Sequence, residues 1–214
     1  MKKSIVIIGA GKGLSISVAK KFGEQGYQIG LISRNAENGN KLSTILSNLG
    51  YTTYFFAADA GDKISLESAI NDLKQKLGGV DVLLYNAALF KEQDILTASS
   101  ESLSEDFKVN VGGALDAVKF LYEDLKKNKG SVLITGGGLS SYPHPMYGSL
   151  SIGKAGIRNL AIQLNERLKD DGIYVGTLTV NNYMNAESTT HTPDMVAEQF
   201  WNLFVNKDAA EVQY

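Results

Sequence analysis

The apolar run Ser4-Ile5-Val6-Ile7-Ile8 passes directly into Gly9-Ala10-Gly11-Lys12-Gly13-Leu14-Ser15, where a helical pattern of apolar residues begins. Glycines let the chain turn sharply and let its backbone approach an anion without Cβ clashes. The helix behind them offers unpaired N–H groups and the positive end of its dipole, a cradle suited to a pyrophosphate. Gly9, Gly11, Lys12, Gly13 and Leu14 are the candidate contacts. The spacing, Gly9-x3-Gly13-x-Ser15, departs from the Gly-x-Gly-x-x-Gly form. A tight turn without a ligand is the alternative, and the position after a first strand and immediately before a helix weighs against it. A second chemistry-bearing pair, Ser33-Arg34, closes the next apolar run. A guanidinium can hold a phosphate through two parallel hydrogen bonds, and a neighbouring hydroxyl can add a third.

The elements needed to position these residues are legible. Strands are expected at Ser4–Ile8, Gln28–Ser33, Thr52–Ala57, Val80–Tyr85, Ser131–Thr135, Ile173–Val180 and Glu211–Tyr214. Helices are expected at Leu14–Gln25, Ala36–Leu49, Ile64–Leu77, Leu103–Lys127 (broken near Gly112-Gly113), Ser151–Lys169 and Pro193–Phe204. The strands are apolar throughout rather than alternating, as strands buried on both faces of a parallel sheet must be. Alternating strands and helices imply right-handed crossovers, hence an α/β, doubly wound parallel sheet of Rossmann type in three αβα layers. Neither a repeat nor a linker interrupts it, so residues 1–214 read as one domain. Such sheets bind ligands beyond the carboxyl ends of their strands.

Composition narrows the chemistry. The 214 residues include no cysteine, which removes disulfides, thiolate zinc sites and cysteine nucleophiles. With 21 Lys and Arg against 23 Asp and Glu, the net charge of −2 provides no basic field for nucleic acid. Hydrophobic content of 43% is that of an ordinary soluble protein. The first apolar run is too short for a signal sequence or a membrane span, so a cytoplasmic protein without a membrane partner is expected. His144 and His191 have no accompanying carboxylate cluster, so no metal site is expected.

Taken after each strand in turn, the motifs resemble those of the short-chain dehydrogenase/reductase family, and the resemblance spans the chain. That family's first turn is usually Thr-Gly-x3-Gly-x-Gly; here Ile8 stands for the Thr and Ser15 for the last Gly. The resemblance implies a nicotinamide dinucleotide cofactor, a small-molecule substrate and hydride transfer at a carbonyl or alcohol carbon. An acidic residue ending the second strand would favour NAD(H) by bonding the ribose 2′-hydroxyl. Ser33, Arg34 and Lys12 instead favour a 2′-phosphate and NADP(H), unless both cations are merely solvated. Asp59-Ala60 falls where relatives meet the adenine ring, although Asp59 is equally placed to cap the next helix. Asn86-Ala87-Ala88 is similar to the family's Asn-Asn-Ala-Gly, with Asn86 expected to tie neighbouring strand ends together. Asn110 matches the family's helix Asn and Lys154 its catalytic Lys, which the resemblance also implies binds the cofactor by holding the nicotinamide ribose, with Asn110 in support.

Two expected residues are missing. Four positions before Lys154, where the resemblance implies a proton-donating Tyr, stands Leu150; the strand-five Ser position falls on Gly136 or Gly137. Tyr147, Tyr142 and His144 are the nearby substitutes, with Tyr147 the candidate donor. Asn181-Asn182-Tyr183 replaces the usual Pro-Gly, and the polar stretch to Thr192 is either a loop over the cleft or a disordered connector. The small residues around Gly112-Gly113 and along Ser151–Ala161 suggest close helix contact, and the resemblance implies a homodimer or homotetramer. Two readings follow: an NADP(H)-dependent oxidoreductase with an incomplete catalytic set, or a catalytically inactive NADP(H)-binding sensor or assembly subunit.

Overall fold

Strand β1 (Ser4–Ile8) is buried along its whole length, with Ile5 and Ile7 entering one core while Val6 and Ile8 enter another. This two-sided burial is why its sequence shows no polar alternation. In the computed structural model, which describes residues 2–214, β1 pairs with β2 (Gln28–Ser33) on one side and β4 (Val82–Tyr85) on the other. The sheet extends through β3 (Thr53–Ala57), β5 (Ser131–Thr135), β6 (Tyr174–Thr179) and β7 (Glu211–Gln213) in the order β3-β2-β1-β4-β5-β6-β7, every pair parallel. Strand order therefore reverses between β1 and β4, which opens a crevice beyond their carboxyl ends.

Two helical layers cover the sheet. Helices α1 (Leu14–Glu24), α2 (Ala36–Asn48) and α7 (Pro193–Asn206) pack over one face, where Phe22, Trp201 and Phe204 meet ring to ring. Helices α3 (Lys63–Leu77), α5 (Gly113–Asn128) and α6 (Gly148–Leu168) cover the other. This is the three-layer doubly wound architecture expected.

Two boundaries differ in ways that matter for the site. The expected break at Gly112-Gly113 is absent: α4 (Ser100–Phe107) continues through a π turn, Lys108–Gly112, into α5. Gly113 serves close packing instead, since a Cβ there would lie 2.6 Å from the Tyr85 hydroxyl. A π turn rotates its residues relative to the regular helix, and such turns are frequent at functional sites. Here it carries Asn110. Helix α6 begins at Gly148, earlier than the expected Ser151, with Tyr147 as its N-cap residue in a non-helical conformation.

The small face of α6 is consumed within the chain. Cβ atoms on Gly153 and Gly156 would press on Asn110 at 2.7 Å and on Phe107 and Val111 at 3.0 Å. The close helix contact expected from sequence thus lies between α6 and the π turn of the same chain. No helix among the described residues is long and apolar enough to cross a membrane.

Candidate active site

At the end of β1 the chain turns through Gly9, whose φ is +84°. A side chain there would be strained by conformation and would also place its Cβ 2.5 Å from Ala87 Cα. Gly13 caps α1 with φ +94° and brings no side-chain acceptor, so the first-turn N–H groups stay available to a ligand. A Cβ on Gly11 or Gly13 would meet nothing within 4 Å. Both glycines border open space.

Asn86 fixes this turn to the sheet. Its Nδ2 donates to the Gly9 carbonyl at 3.1 Å and to Ser15 Oγ at 3.0 Å, while its Oδ1 accepts from Thr135 Oγ1 at 2.9 Å. Ser15, buried at the start of α1, itself donates to Gly9 O at 3.0 Å. One asparagine thus ties the ends of β1, β4 and β5 to α1, and the serine in place of a third glycine adds a bond to the turn.

The crevice beyond is a cavity of about 400 Å³ whose lining includes Gly9, Gly11, Lys12, Ser33, Arg34, Asp59, Ala60, Asn86, Ala87 and Ala88. Ile32, Asn35, Asn38, Ala58 and Val109 complete much of the wall and were not singled out from sequence. The Leu14 side chain is buried in the core, so a contact from this residue would come through its backbone N–H. Asp59 does not cap α3. That task falls to Asp62, which accepts from Ile64 and Ser65 N–H, while Asp59 accepts from Gly61 N–H at 2.8 Å. Arg34 Nη1 lies 3.9 Å from Asp59 Oδ2, both side chains substantially exposed. So loose a pair leaves the guanidinium able to grip another anion. Open glycine faces, a free helix terminus and two cations on one wall fit a phosphorylated dinucleotide.

Ala87 and Ala88 also border a tight gap lined by Tyr85, Asn110, Thr135, Leu150, Gly153, Lys154 and Ile157. Lys154 Nζ donates to the Thr135 carbonyl at 2.8 Å. Burial without a carboxylate partner pushes its pKa down to about 8. Of the two glycines after β5, Gly137 faces this lysine: a Cβ there would lie 3.4 Å from Lys154 Cδ and Cε, whereas one on Gly136 would meet Thr177 and Thr179. Asn110 Oδ1 accepts from Leu89 N–H at 2.7 Å, and its buried Nδ2 has no partner. Thr135, which serves both Asn86 and Lys154, escaped the sequence reading although it is the last residue of its strand.

Tyr147 does not join Lys154. Its ring packs against Phe90 at 5.1 Å and His144 at 5.7 Å and lies outside the lysine's gap. His144 and Tyr142 are exposed. A further group had no sequence signal: buried Asp106 on α4 accepts from Ser149 Oγ at 2.6 Å and pairs with Lys91, joining the loop after β4 to the start of α6. The polar stretch after β6 is folded, with His191 stacked on Tyr214 at 4.6 Å and Tyr214 Oη donating to Thr190 O at 2.7 Å.

Residues 3–193 match the family model described as short chain dehydrogenase, and so nearly the whole of this scaffold is accounted for. The chain belongs to the short chain dehydrogenase family. An uncharacterized oxidoreductase of Thermotoga maritima is 27% identical over 132 residues, 62% of this chain and 52% of the relative. That match thus spans about half of the relative's length. A diacetyl reductase [(S)-acetoin forming] of Staphylococcus epidermidis is 25% identical over 205 residues, 95% of this chain and 78% of that one. Among solved structures, the alcohol dehydrogenase from the archaeon Thermococcus sibiricus, complexed with 5-hydroxy-NADP, superposes with a TM-score of 0.87. It is 22% identical, and the alignment covers 99% of this chain and 95% of that one. At that identity the likeness establishes the fold.

Proposed function

We propose that this dehydrogenase-family chain binds NADP(H) in the 400 Å³ crevice and transfers hydride at a carbonyl or alcohol carbon of a small molecule, using a reduced set of catalytic side chains. The observation that carries the reading is one wall. Gly9, Gly11, Lys12, Ser33 and Arg34 line it together, so that the glycines, with Gly13 beside them, would form the anion cradle and Ser33, Arg34 and Lys12 would meet a 2′-phosphate, while Lys154 lies behind Ala87 and Ala88. Asp59, Ala60, Asn86, Ala87 and Ala88 would border the adenosine, with Leu14 contributing its N–H. A diacetyl reductase and an alcohol dehydrogenase solved with an NADP derivative among similar proteins support this chemistry.

When bound, the nicotinamide would supply or accept the hydride. The chain's own residues position the reactants and handle the proton. Asn110, rotated inward by the π turn, anchors the loop after β4 through Leu89 and brings its free Nδ2 to the lysine's gap. On the family resemblance Leu150 would stand where the proton-donating Tyr is expected and Gly136 or Gly137 where the substrate-bonding Ser is expected, and none of these side chains can exchange a proton. Tyr147, held between Phe90 and His144, would reach the substrate only by leaving those rings. Exposed Phe107, Ile152 and Ile162 on α4 and α6 support a homodimer or homotetramer.

The missing hydroxyls also favour a second reading, in which the chain binds NADP(H) without turnover as a sensor or assembly subunit. Oxidation of NADPH against a carbonyl panel, by the wild type and by Leu150→Tyr, separates the two. For the cofactor assignment the test is Arg34→Asp. Loss of a charge-assisted hydrogen bond, about 1.5–3 kcal/mol, should weaken NADPH binding roughly 10- to 100-fold while NADH binding holds or improves. Unchanged NADPH affinity would overturn the assignment.

A further inference from the structure

We infer that Lys154 itself delivers the proton to the substrate oxygen, in the role that a phenol one helical turn earlier would otherwise fill. This rests on the reductase reading above. The other groups that line the gap around the lysine are all unable to donate. From β4, the Tyr85 hydroxyl is buried and committed to the Val109 carbonyl at 2.5 Å, and burial raises its pKa far above the working range. From β5, the Thr135 hydroxyl donates to Asn86 Oδ1, and Gly137 offers no side chain. From the π turn, Asn110 contributes an amide that cannot release a proton. From α6 itself come Leu150, Gly153 and Ile157.

No carboxylate borders this gap among the described residues, and nearby Asp106 is engaged by Lys91 and Ser149. Lys154 is therefore the one group lining it with a proton to give. One of its three N–H bonds is spent on Thr135 O, leaving two. Burial sets its acidity close to neutral pH, where a general acid works best.

In the reductive direction the balance is simple. A hydride from the reduced nicotinamide bonds to the carbonyl carbon, and the C=O π pair moves onto oxygen. That oxygen takes a proton from Lys154 Nζ. The products are the alcohol, the oxidised cofactor and a neutral lysine, which regains its proton from water. In the oxidative direction the neutral amine accepts the alcohol proton, so the two directions should have opposite pH dependence.

Two readouts test this. NMR of labelled lysines in the cofactor-free protein should show one resonance titrating near pH 8 that disappears in Lys154→Arg. Wild-type kcat for reduction should fall about tenfold per pH unit above that value, and kcat for oxidation should rise to a plateau. Lys154→Arg keeps the charge but cannot release a proton at these pH values, so reduction should drop at least about 100-fold. Adding Leu150→Tyr to that variant should restore at least tenfold. A wild-type Lys154 resonance that stays protonated above pH 9.5, or a Lys154→Arg variant with wild-type kcat, would overturn the donor role alone. Wild-type protein that binds NADPH yet reduces no carbonyl on the panel would overturn the reductase reading beneath it.

Discussion

Replacing Lys154 by methionine should make the cofactor-free protein more stable at neutral pH. Burial lowers the lysine's pKa from its ordinary 10.5 to about 8, so the native state resists the proton that the unfolded chain holds. Between these two values the unfolded state binds more protons than the native state, and stability rises with pH across that window. Below pH 8 both states are protonated and the full penalty applies, about 3 kcal/mol at 1.36 kcal/mol per tenfold change in acidity. Methionine keeps the apolar stem and removes the charge. It also forfeits the bond to the Thr135 carbonyl, worth about 1 kcal/mol. The net expectation is a gain of about 2 kcal/mol at pH 7, turning into a loss of about 1 kcal/mol above pH 10.5. Urea unfolding of wild type and Lys154→Met at both pH values, with m unchanged, measures the difference. A variant less stable than wild type by the same amount at both pH values would refute the reasoning.

Two other perturbations probe the turn. Asn86→Ala removes the bonds to Gly9 O, Ser15 Oγ and Thr135 Oγ1 together. At about 1 kcal/mol each they should lower Tm by roughly 5–10 °C in calorimetry and weaken NADPH binding with it. Gly9→Ala forces a Cβ against Ala87 at φ +84°. Strain and overpacking together should destabilise by about 3 kcal/mol or more, and urea titration should show a lowered midpoint or no folded protein.

The sheet was legible because strands buried on both faces leave uninterrupted apolar runs, and β1 and β5 matched to the residue. The turn chemistry was legible too. Asn86 follows its strand directly, and its reach to adjacent strand ends is what the family resemblance implied. What failed was what depends on distant partners. Gly112-Gly113 reads locally as a helix break, but tight packing on Ala60 and Tyr85 gives Gly113 another purpose and the helix runs on. Tyr147 lies near Lys154 along the chain, and the loop after β4 supplies the Phe90 ring that holds it elsewhere. The Lys91–Asp106–Ser149 cluster joins three segments and has no local signature.

Calorimetric titration of the purified protein with NADPH and with NADH tests the central claim most directly. A single NADPH site is predicted, with NADH bound at least about tenfold more weakly because it lacks the 2′-phosphate that Ser33, Arg34 and Lys12 are proposed to meet. Equal affinity would contradict the choice of cofactor, and no heat from either would contradict the account of the crevice itself.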